Sequence, residues 1–208
     1  DNSEKIVNSI SDNRIIKLSN HKNLGVAKSI NKLISLAKGE YIAFMDSDDI
    51  SNLDRLKTQI TFLEEHKLDI CGSSVIVFGG IHERLKPTLQ NHKDINFMMI
   101  FGNPINNPSV LGRSSVLKKF SLNEDLISSD FDLYSRIIKE NYKFGNISKP
   151  LVSCRIHSNQ DSTINYQKGI NESHNISKEH YYHYKINHIG KTYIERIEFG
   201  YKKKIKFT

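Results

Sequence analysis

Three carboxylates crowd into four residues at Asp46-Ser47-Asp48-Asp49. Aspartates separated by one small residue can turn toward a single hard cation. Mg²⁺ or Mn²⁺ is commonly held by one or two carboxylates while substrate phosphates and water complete its shell. The chemistry indicated is phosphate handling. Acidic turns are common and most are simply solvated, so the position of the cluster decides its reading. It follows residues 40–45 (EYIAFM), a nearly continuous apolar run that reads as a strand buried on both faces. In open parallel sheets ligands sit outside the carboxyl ends of the strands, and that is where this acid falls. Elsewhere, His174, His180, His183 and His188 have no metal-ligand spacing. Cys71 and Cys154 stand far apart without a CxxC pattern, so neither a zinc site nor a disulfide framework is expected.

The elements that must hold the cluster follow from periodicity. Residues 3–10 read as a polar helix and residues 14–18 (RIIKL) as a short buried strand. Residues 24–38 predict an amphipathic helix with Val26, Ile30, Leu33, Ile34 and Ala37 on one face and Gly39 at the C-cap. After the acidic run, Ser51 and Asp54 resemble a capping box, and Leu53, Leu56, Ile60 and Leu63 predict a second helix ending near residue 66. Residues 69–78 read as a strand closed by Gly79-Gly80. Strands alternating with helices predict an α/β domain with a parallel sheet. Further on come an apolar segment (95–101), a loop punctuated by Pro104 and Pro108, a strand-like 109–112 and a helical 114–120. Residues 130–141 predict a helix with Phe131, Tyr134, Ile137 and Ile138 on one face. Pro150 introduces a last strand, 151–156. The reading is a main unit of residues 1–162 and a polar, His- and Tyr-rich helical extension, 163–208.

With 208 residues and 38% hydrophobic content the chain has material for one domain with a core. No apolar run approaches the roughly 20 residues that cross a bilayer, and the polar start does not read as a secretory signal. A reducing cytoplasm is the expected compartment. The net charge of +7 allows a nucleic acid, an anionic membrane surface or a phosphorylated substrate as partner. Lysines are scattered rather than interleaved with aromatics on one face, which ranks nucleic acid last. Only residues 201–207 (YKKKIKF) concentrate basic and apolar side chains. That run reads either as a solvated tail or as a peripheral contact with a membrane surface.

Asn23-Leu24-Gly25-Val26-Ala27-Lys28-Ser29-Ile30-Asn31, then Ala37-Lys38-Gly39-Glu40-Tyr41-Ile42, then Asp46-Ser47-Asp48-Asp49 and Asp54-Arg55-Leu56 resemble, in order and spacing, the central block of the family 2 inverting glycosyltransferases. The resemblance runs from Asp1 to about Ser162. It implies the GT-A fold, a mostly parallel sheet flanked by helices, and sugar transfer from a nucleotide-diphosphate donor, such as a UDP- or GDP-sugar, to an acceptor hydroxyl. Asp1-Asn2-Ser3 is similar to the tail of the family's turn after its second strand, so the first strand-helix-strand elements are expected to be lacking.

Residue by residue, the resemblance implies that Asp48 holds a divalent metal, Mn²⁺ or Mg²⁺, and that Asp46 faces the ribose and metal side. Lys28 and Asn31 match positions near the nucleotide, although a lysine on a helix is as readily a solvated one. Ser129-Asp130-Phe131-Asp132-Leu133 resembles the family's second acidic motif, which makes Asp130 the catalytic base. An Asp at that place also suits a helix N-cap. Cys154-Arg155-Ile156-His157 looks like the family's Tyr-Arg-x-His, which would set His157 near the metal or diphosphate and Arg155 at the site wall. Asn107-Pro108-Ser109 stands where the family often has His-Pro-Thr, a departure on the acceptor side. The implied setting is bacterial surface polysaccharide or lipopolysaccharide synthesis on a glycan or lipid-linked acceptor, at the cytoplasmic face of the membrane. The competing readings are an inactive fragment or remnant of such an enzyme, a nucleotidyltransferase with similar metal logic and, last, a nucleic-acid-binding module.

Overall fold

The computed structural model describes residues 2–158 and 160–188. In chain order the elements are α1 (Ser3–Ser9), α2 (Val26–Leu36), β1 (Tyr41–Ala43), β2 (Ile50–Ser51), α3 (Arg55–Glu65), β3 (Ile70–Phe78) and β4 (Arg84–Lys86). They continue with α4 (His92–Met98), β5 (Leu111–Arg113), α5 (Ser114–Leu117), α6 (Ser129–Lys139), β6 (Phe144–Arg155), α7 (Asp161–Ile164) and α8 (Tyr166–His188). The six strands form one sheet in the order β1-β5-β3-β6-β2, with β4 on the outer half of β3. The sheet is mixed. The longest pairing, β3 with β6, is parallel, as the alternating pattern requires, whereas β5 runs antiparallel to both β1 and β3.

Apolar side chains cover both faces. Ile70 of β3 belongs to the same core cluster as Ala27, Ile95, Leu117, Phe131, Ile137 and Ile176 from α2, α4, α5, α6 and α8, while the next residue, Cys71, belongs to a second cluster with Leu63 and Leu68 beneath α3. This is the two-residue alternation of a strand covered on both sides. Both cysteines are free.

Several local expectations give way. Residues 14–18 are not a strand and Ile16 is exposed, because among the described residues no strand pairs with them. β1 is shorter than the apolar run and only half-buried, because it lies at the edge of the sheet. In α3 the buried stripe is Arg55, Gln59 and Leu63, while Leu53 and Leu56 face solvent. Ser51 and Asp54 form no capping box, since the α3 N-terminus carries no side-chain cap. β6 begins well before Pro150, which sits inside it opposite Ser74, where the register with β3 shifts on either side, the kind of bulge at which a strand admits a proline. The extension is helical over α8, and the basic run 201–207 lies outside the described residues. Among the described residues no helix is long and apolar enough to cross a membrane.

Candidate functional site

The acidic run leaves β1 at a point fixed from below by Arg55. This side chain, 2% exposed, donates from Nη2 to the carbonyls of Phe44 (2.9 Å) and Val110 (3.3 Å) and from Nε to Gln59 Oε1 (2.8 Å), with Met45 Sδ 3.3 Å from Nη1. Gln59 in turn donates to the Ser109 carbonyl at 2.8 Å. A planar guanidinium bridges several acceptors at once, and here it ties the backbone on either side of the β1/β5 pairing just before Asp46. Nothing in the acidic motif itself signals this role. An arginine followed at four-residue steps by Gln59 and Leu63 was the available sign.

From above, the run is stitched to the end of β6. Asp49 Oδ1 accepts from the Arg155 backbone N–H at 2.8 Å, the Asp48 carbonyl accepts from Arg155 Nε at 3.1 Å, and the Arg155 guanidinium lies over the Phe78 ring at 4.5 Å. Asp48 Oδ2 and His157 Nε2 are 3.1 Å apart. Gln160 Nε2 donates to the Arg155 carbonyl at 2.7 Å, which holds the turn carrying His157. Gly79 permits this closure: its φ is +90°, a left-handed conformation that side chains rarely adopt, and a Cβ there would stand 2.7 Å from the Ile156 carbonyl oxygen.

Asp130 lies in the first turn of α6 rather than at its N-cap, which is Ser128. Asn103 Nδ2 donates to its Oδ2 at 3.1 Å. Burial pushes the Asp130 carboxyl above the ordinary carboxylate range, against the helix-start N–H groups, Lys86 and Asn103, which pull it down. Burial also raises Asp46, and the charges of Asp49, Asp48 and Asp130 raise it further. The two acidic motifs, more than eighty residues apart in sequence, therefore share one electrostatic field. Tyr134 lies between them, buried, its hydroxyl donating to Asn107 Oδ1 at 2.6 Å and its ionisation suppressed by burial and then by Asp130 and Asp46. Asn107, in the position of the absent histidine, is thus anchored to α6. Burial raises Asp49 as well, against the Arg155 backbone N–H and the Cys154 thiol, which pull it down.

The structure brings Asp46, Asp48, Asp130, Arg155 and His157 together. Lys28 and Asn31 lie elsewhere on α2: Lys28 Nζ is 3.6 Å from Glu124 Oε2, and the Asn31 amide exchanges hydrogen bonds with the Leu122 backbone at 2.8 and 2.9 Å.

Among the described residues no three His, Cys, Asp or Glu side chains form a ready-made metal cage. The donor set still suits a divalent cation that draws most of its shell from phosphate and water: a carboxylate and an imidazole already face each other at Asp48 and His157, beside carboxylates whose ionisation is held back by burial and by one another's charge.

A sequence model of the family described as glycosyl transferase family 2 matches residues 1–126. The chain is 36% identical over 164 residues to an uncharacterized glycosyltransferase of Methanocaldococcus jannaschii, covering 76% of this chain and 57% of that protein. It is 31% identical over 144 residues to an O-antigen biosynthesis glycosyltransferase of Escherichia coli, covering 66% of this chain and 57% of that protein. The chain thus spans little more than half the length of these relatives. In fold it is similar to S. aureus TarS 1–349 solved in complex with UDP-GlcNAc, with a TM-score of 0.63 at 21% identity over 77% of this chain and 48% of that one.

Proposed function

The chain belongs to glycosyl transferase family 2, and from that premise we propose that it takes part in moving a sugar from a nucleotide-diphosphate donor to an acceptor hydroxyl with inversion. The observation that carries this reading is the convergence of Asp46 and Asp48 after β1, Arg155 and His157 after β6, and Asp130 at the start of α6 on one electrostatic site.

In this reading Asp130 is the base. A hydroxyl is too weak an acid to attack unaided, so its proton passes to the Asp130 carboxylate as oxygen bonds to the anomeric carbon and the bond from that carbon to the diphosphate oxygen breaks. Attack on the face opposite the diphosphate inverts the configuration. The raised Asp130 pKa suits the role, because a base works best when its pKa approaches the working pH. Asn103 fixes the orientation of the carboxyl. Asp48 and His157 would hold the cation, Asp46 faces the ribose side, and Arg155 keeps the acidic turn against β6 while lending positive charge to the wall. A bound Mn²⁺ or Mg²⁺ supplies charge that stabilises the departing diphosphate. Lys28 and Asn31 would approach the nucleotide from α2 once their contacts to residues 122–124 rearrange.

A UDP- or GDP-sugar donor is supported by the fold shared with TarS, whose complex holds UDP-GlcNAc. The Escherichia coli relative, an O-antigen biosynthesis glycosyltransferase, favours a place in surface polysaccharide or lipopolysaccharide synthesis, for which a glycan or lipid-linked acceptor is the expected second substrate. The test is calorimetric titration of UDP and GDP with and without Mn²⁺, on the chain and on Asp48→Ala. Metal-dependent binding lost in the variant is the expected result. A folded chain that binds neither nucleotide, or binds equally well without Asp48, overturns the donor-site assignment.

A further inference from the structure

We propose that the cavity enclosed by α4, the end of α6, the start of β6 and α8 is an anion site. It takes a phosphate group bearing two or more negative charges, and it is separate from the donor site and independent of the transfer reading above. The cavity has a volume of about 580 Å³, and its lining includes three lysines, Lys93, Lys139 and Lys143, and no aspartate or glutamate. It stands at the opposite end of the sheet from the acidic run. β6 starts beside it, directly after Lys143, and ends with Arg155 at the Asp48 carbonyl. At about 3.3 Å per residue those twelve residues put roughly 35 Å between the two places.

Local structure brings the three ammonium groups to one space. Lys139 is the last residue of α6. Asn141, in the left-handed region at φ +65°, ends that helix and turns the chain into β6, which returns Lys143 to the same end of the fold. The Lys143 backbone is pinned: its N–H donates to Asp69 Oδ2 at 2.7 Å, and its carbonyl accepts from the Asp69 and Ile70 N–H groups at 2.9 and 3.1 Å. Lys93 comes from the first turn of α4. On the other side α8 contributes His183 and Tyr184, and the Tyr184 ring meets Phe97 of α4 edge-on at 6.0 Å. Among the described residues the lysines that form ion pairs are Lys28, Lys149 and Lys168, so the three in the cavity have none.

Charge and donors together identify the ligand. The α6 C-terminus brings about half an elementary negative charge to the cavity, against three lysines. The carboxylates of the surrounding elements are engaged elsewhere: Asp69 with the Lys143 N–H, Asp94 with the Asn91 amide at 2.6 Å, and Asp132 with Arg136 at 2.8 Å. Glu179 of α8 and Asp132 act on Lys139 through space and raise its pKa, while burial, the larger effect, lowers it. A bound anion would favour the charged form of that half-buried lysine. Asn96, 9% exposed, adds a neutral donor to the lining. His180 Nε2 faces the Asn96 carbonyl at 3.1 Å and Asn96 Oδ1 at 2.8 Å, so that nitrogen carries the proton and the amide turns its oxygen to His180. Among the described residues no acceptor takes the two N–H groups of Asn96 Nδ2. His92 Nδ1 accepts from the Phe144 N–H at 3.2 Å, which leaves the ring proton on Nε2 and makes His92 a further donor in the lining. Ammonium and N–H donors without a carboxylate suit phosphate oxygens, which only accept. The volume, within the roughly 300–1,000 Å³ usual for small-molecule pockets, leaves room for a second phosphate or an attached head group.

The test is calorimetry with inorganic diphosphate in the presence of EDTA, so that no divalent cation takes part. The chain would be compared with Lys139→Gln, Lys143→Gln, Asp48→Ala and Lys57→Gln, the last removing the same charge from an exposed position of α3 on the other face of the sheet. The expected result is saturable, metal-free binding that falls roughly 10-fold or more in each cavity lysine variant, as loss of a charged hydrogen bond predicts. Asp48→Ala and Lys57→Gln should leave it unchanged. Absence of binding overturns the proposal, as does an equal loss in Lys57→Gln, which would mean diffuse attraction to a chain of net charge +7. Binding that needs Mn²⁺ and disappears in Asp48→Ala also overturns it, because the diphosphate would then sit in the donor site. Since the assay excludes metal, its failure leaves the Mn²⁺-dependent UDP test of the donor reading untouched. Sedimentation with phosphatidylcholine vesicles containing phosphatidic acid separates the sources of the ligand. Vesicle binding that diphosphate displaces and Lys143→Gln weakens supports the site as one for a lipid head group. Diphosphate binding without vesicle binding supports it as one for a free phosphate compound.

Discussion

Arg55→Met should loosen the acidic site from beneath. The guanidinium makes two short hydrogen bonds, to the Phe44 carbonyl at 2.9 Å and Gln59 Oε1 at 2.8 Å, and two longer contacts, to the Val110 carbonyl and Met45 Sδ at 3.3 Å. Val110 keeps a partner after the substitution, because its carbonyl also accepts from the Phe44 N–H. The Phe44 carbonyl and Gln59 Oε1 would each lose the guanidinium inside the protein. A stranded buried acceptor costs about 1–3 kcal/mol, so the two together cost about 2–6 kcal/mol. Relief from burying the cation offsets part of this, since burial already lowers the Arg55 pKa. A net loss of about 3 kcal/mol corresponds to a fall in Tm of roughly 6–12 °C for a domain of this size. Because Asp46 follows Met45 directly, the metal-dependent UDP affinity should fall as well. Arg55→Lys, which keeps the charge but cannot bridge two backbone segments with a planar fork, should lie between the parent and Arg55→Met in both readouts. Thermal unfolding followed by circular dichroism, with calorimetry of UDP and Mn²⁺, measures both. An Arg55→Met variant that melts within about 2 °C of the parent, against the larger shift expected from the lost contacts, and binds UDP equally well would refute the reasoning.

Two further substitutions separate chemistry from structure. Asp130→Asn should lower turnover about 10²- to 10⁴-fold, the usual worth of a general base. It should also stabilise the fold in a pH-dependent way. A carboxyl whose folded pKa is raised binds protons more tightly in the native state, so its penalty develops as pH rises from the ordinary carboxylate range through the folded pKa. Parent and variant should therefore melt alike near pH 3.5 and diverge toward neutrality with Asn the more stable, and a constant difference across that range would contradict the burial argument. Gly79→Ala should destabilise by about 1–3 kcal/mol, because the residue is held at φ +90° and its Cβ would stand 2.7 Å from the Ile156 carbonyl oxygen. His157 follows at once, so melting temperature and metal-dependent UDP affinity should fall together; unchanged values in both would show that β6 tolerates the displacement.

What was legible in the sequence was the part governed by local pattern. A strand running into the acidic turn, a helix face of Phe131, Tyr134, Ile137 and Ile138, and the strand closed by Gly79 stand where periodicity put them, although the first is shorter and less buried than its apolar run. Tertiary satisfaction of polar groups was not legible. Leu53 and Leu56 suggested the inner face of α3, but Arg55 and Gln59 turn inward because carbonyls at Phe44, Val110 and Ser109 need donors there. Likewise RIIKL had the composition of a strand without a neighbour to pair with, and Pro150 seemed a boundary only because a bulge in β6 cannot be seen from one strand alone. The roles given to Asp48 and His157 came from resemblance, and their 3.1 Å approach adds a geometric reason to consider them together.

The polar groups around the site divide into two mechanical units. Asp48 and Asp49 are joined to β6 by the backbone N–H and Nε of Arg155 and by His157, so the proposed cation side moves with the sheet. Asp130 instead moves with α6, whose start is held by Glu172 and Ser128 contacts to α8. Between the two stand Asn107 and Tyr134, linked at 2.6 Å, with Tyr134 feeling the charge of both Asp130 and Asp46. In the transfer proposed here, the distance between leaving diphosphate and attacking hydroxyl is set across that junction. Small displacements of reacting atoms carry large rate penalties, so the buried Tyr134–Asn107 contact is where the donor and acceptor halves are kept in register.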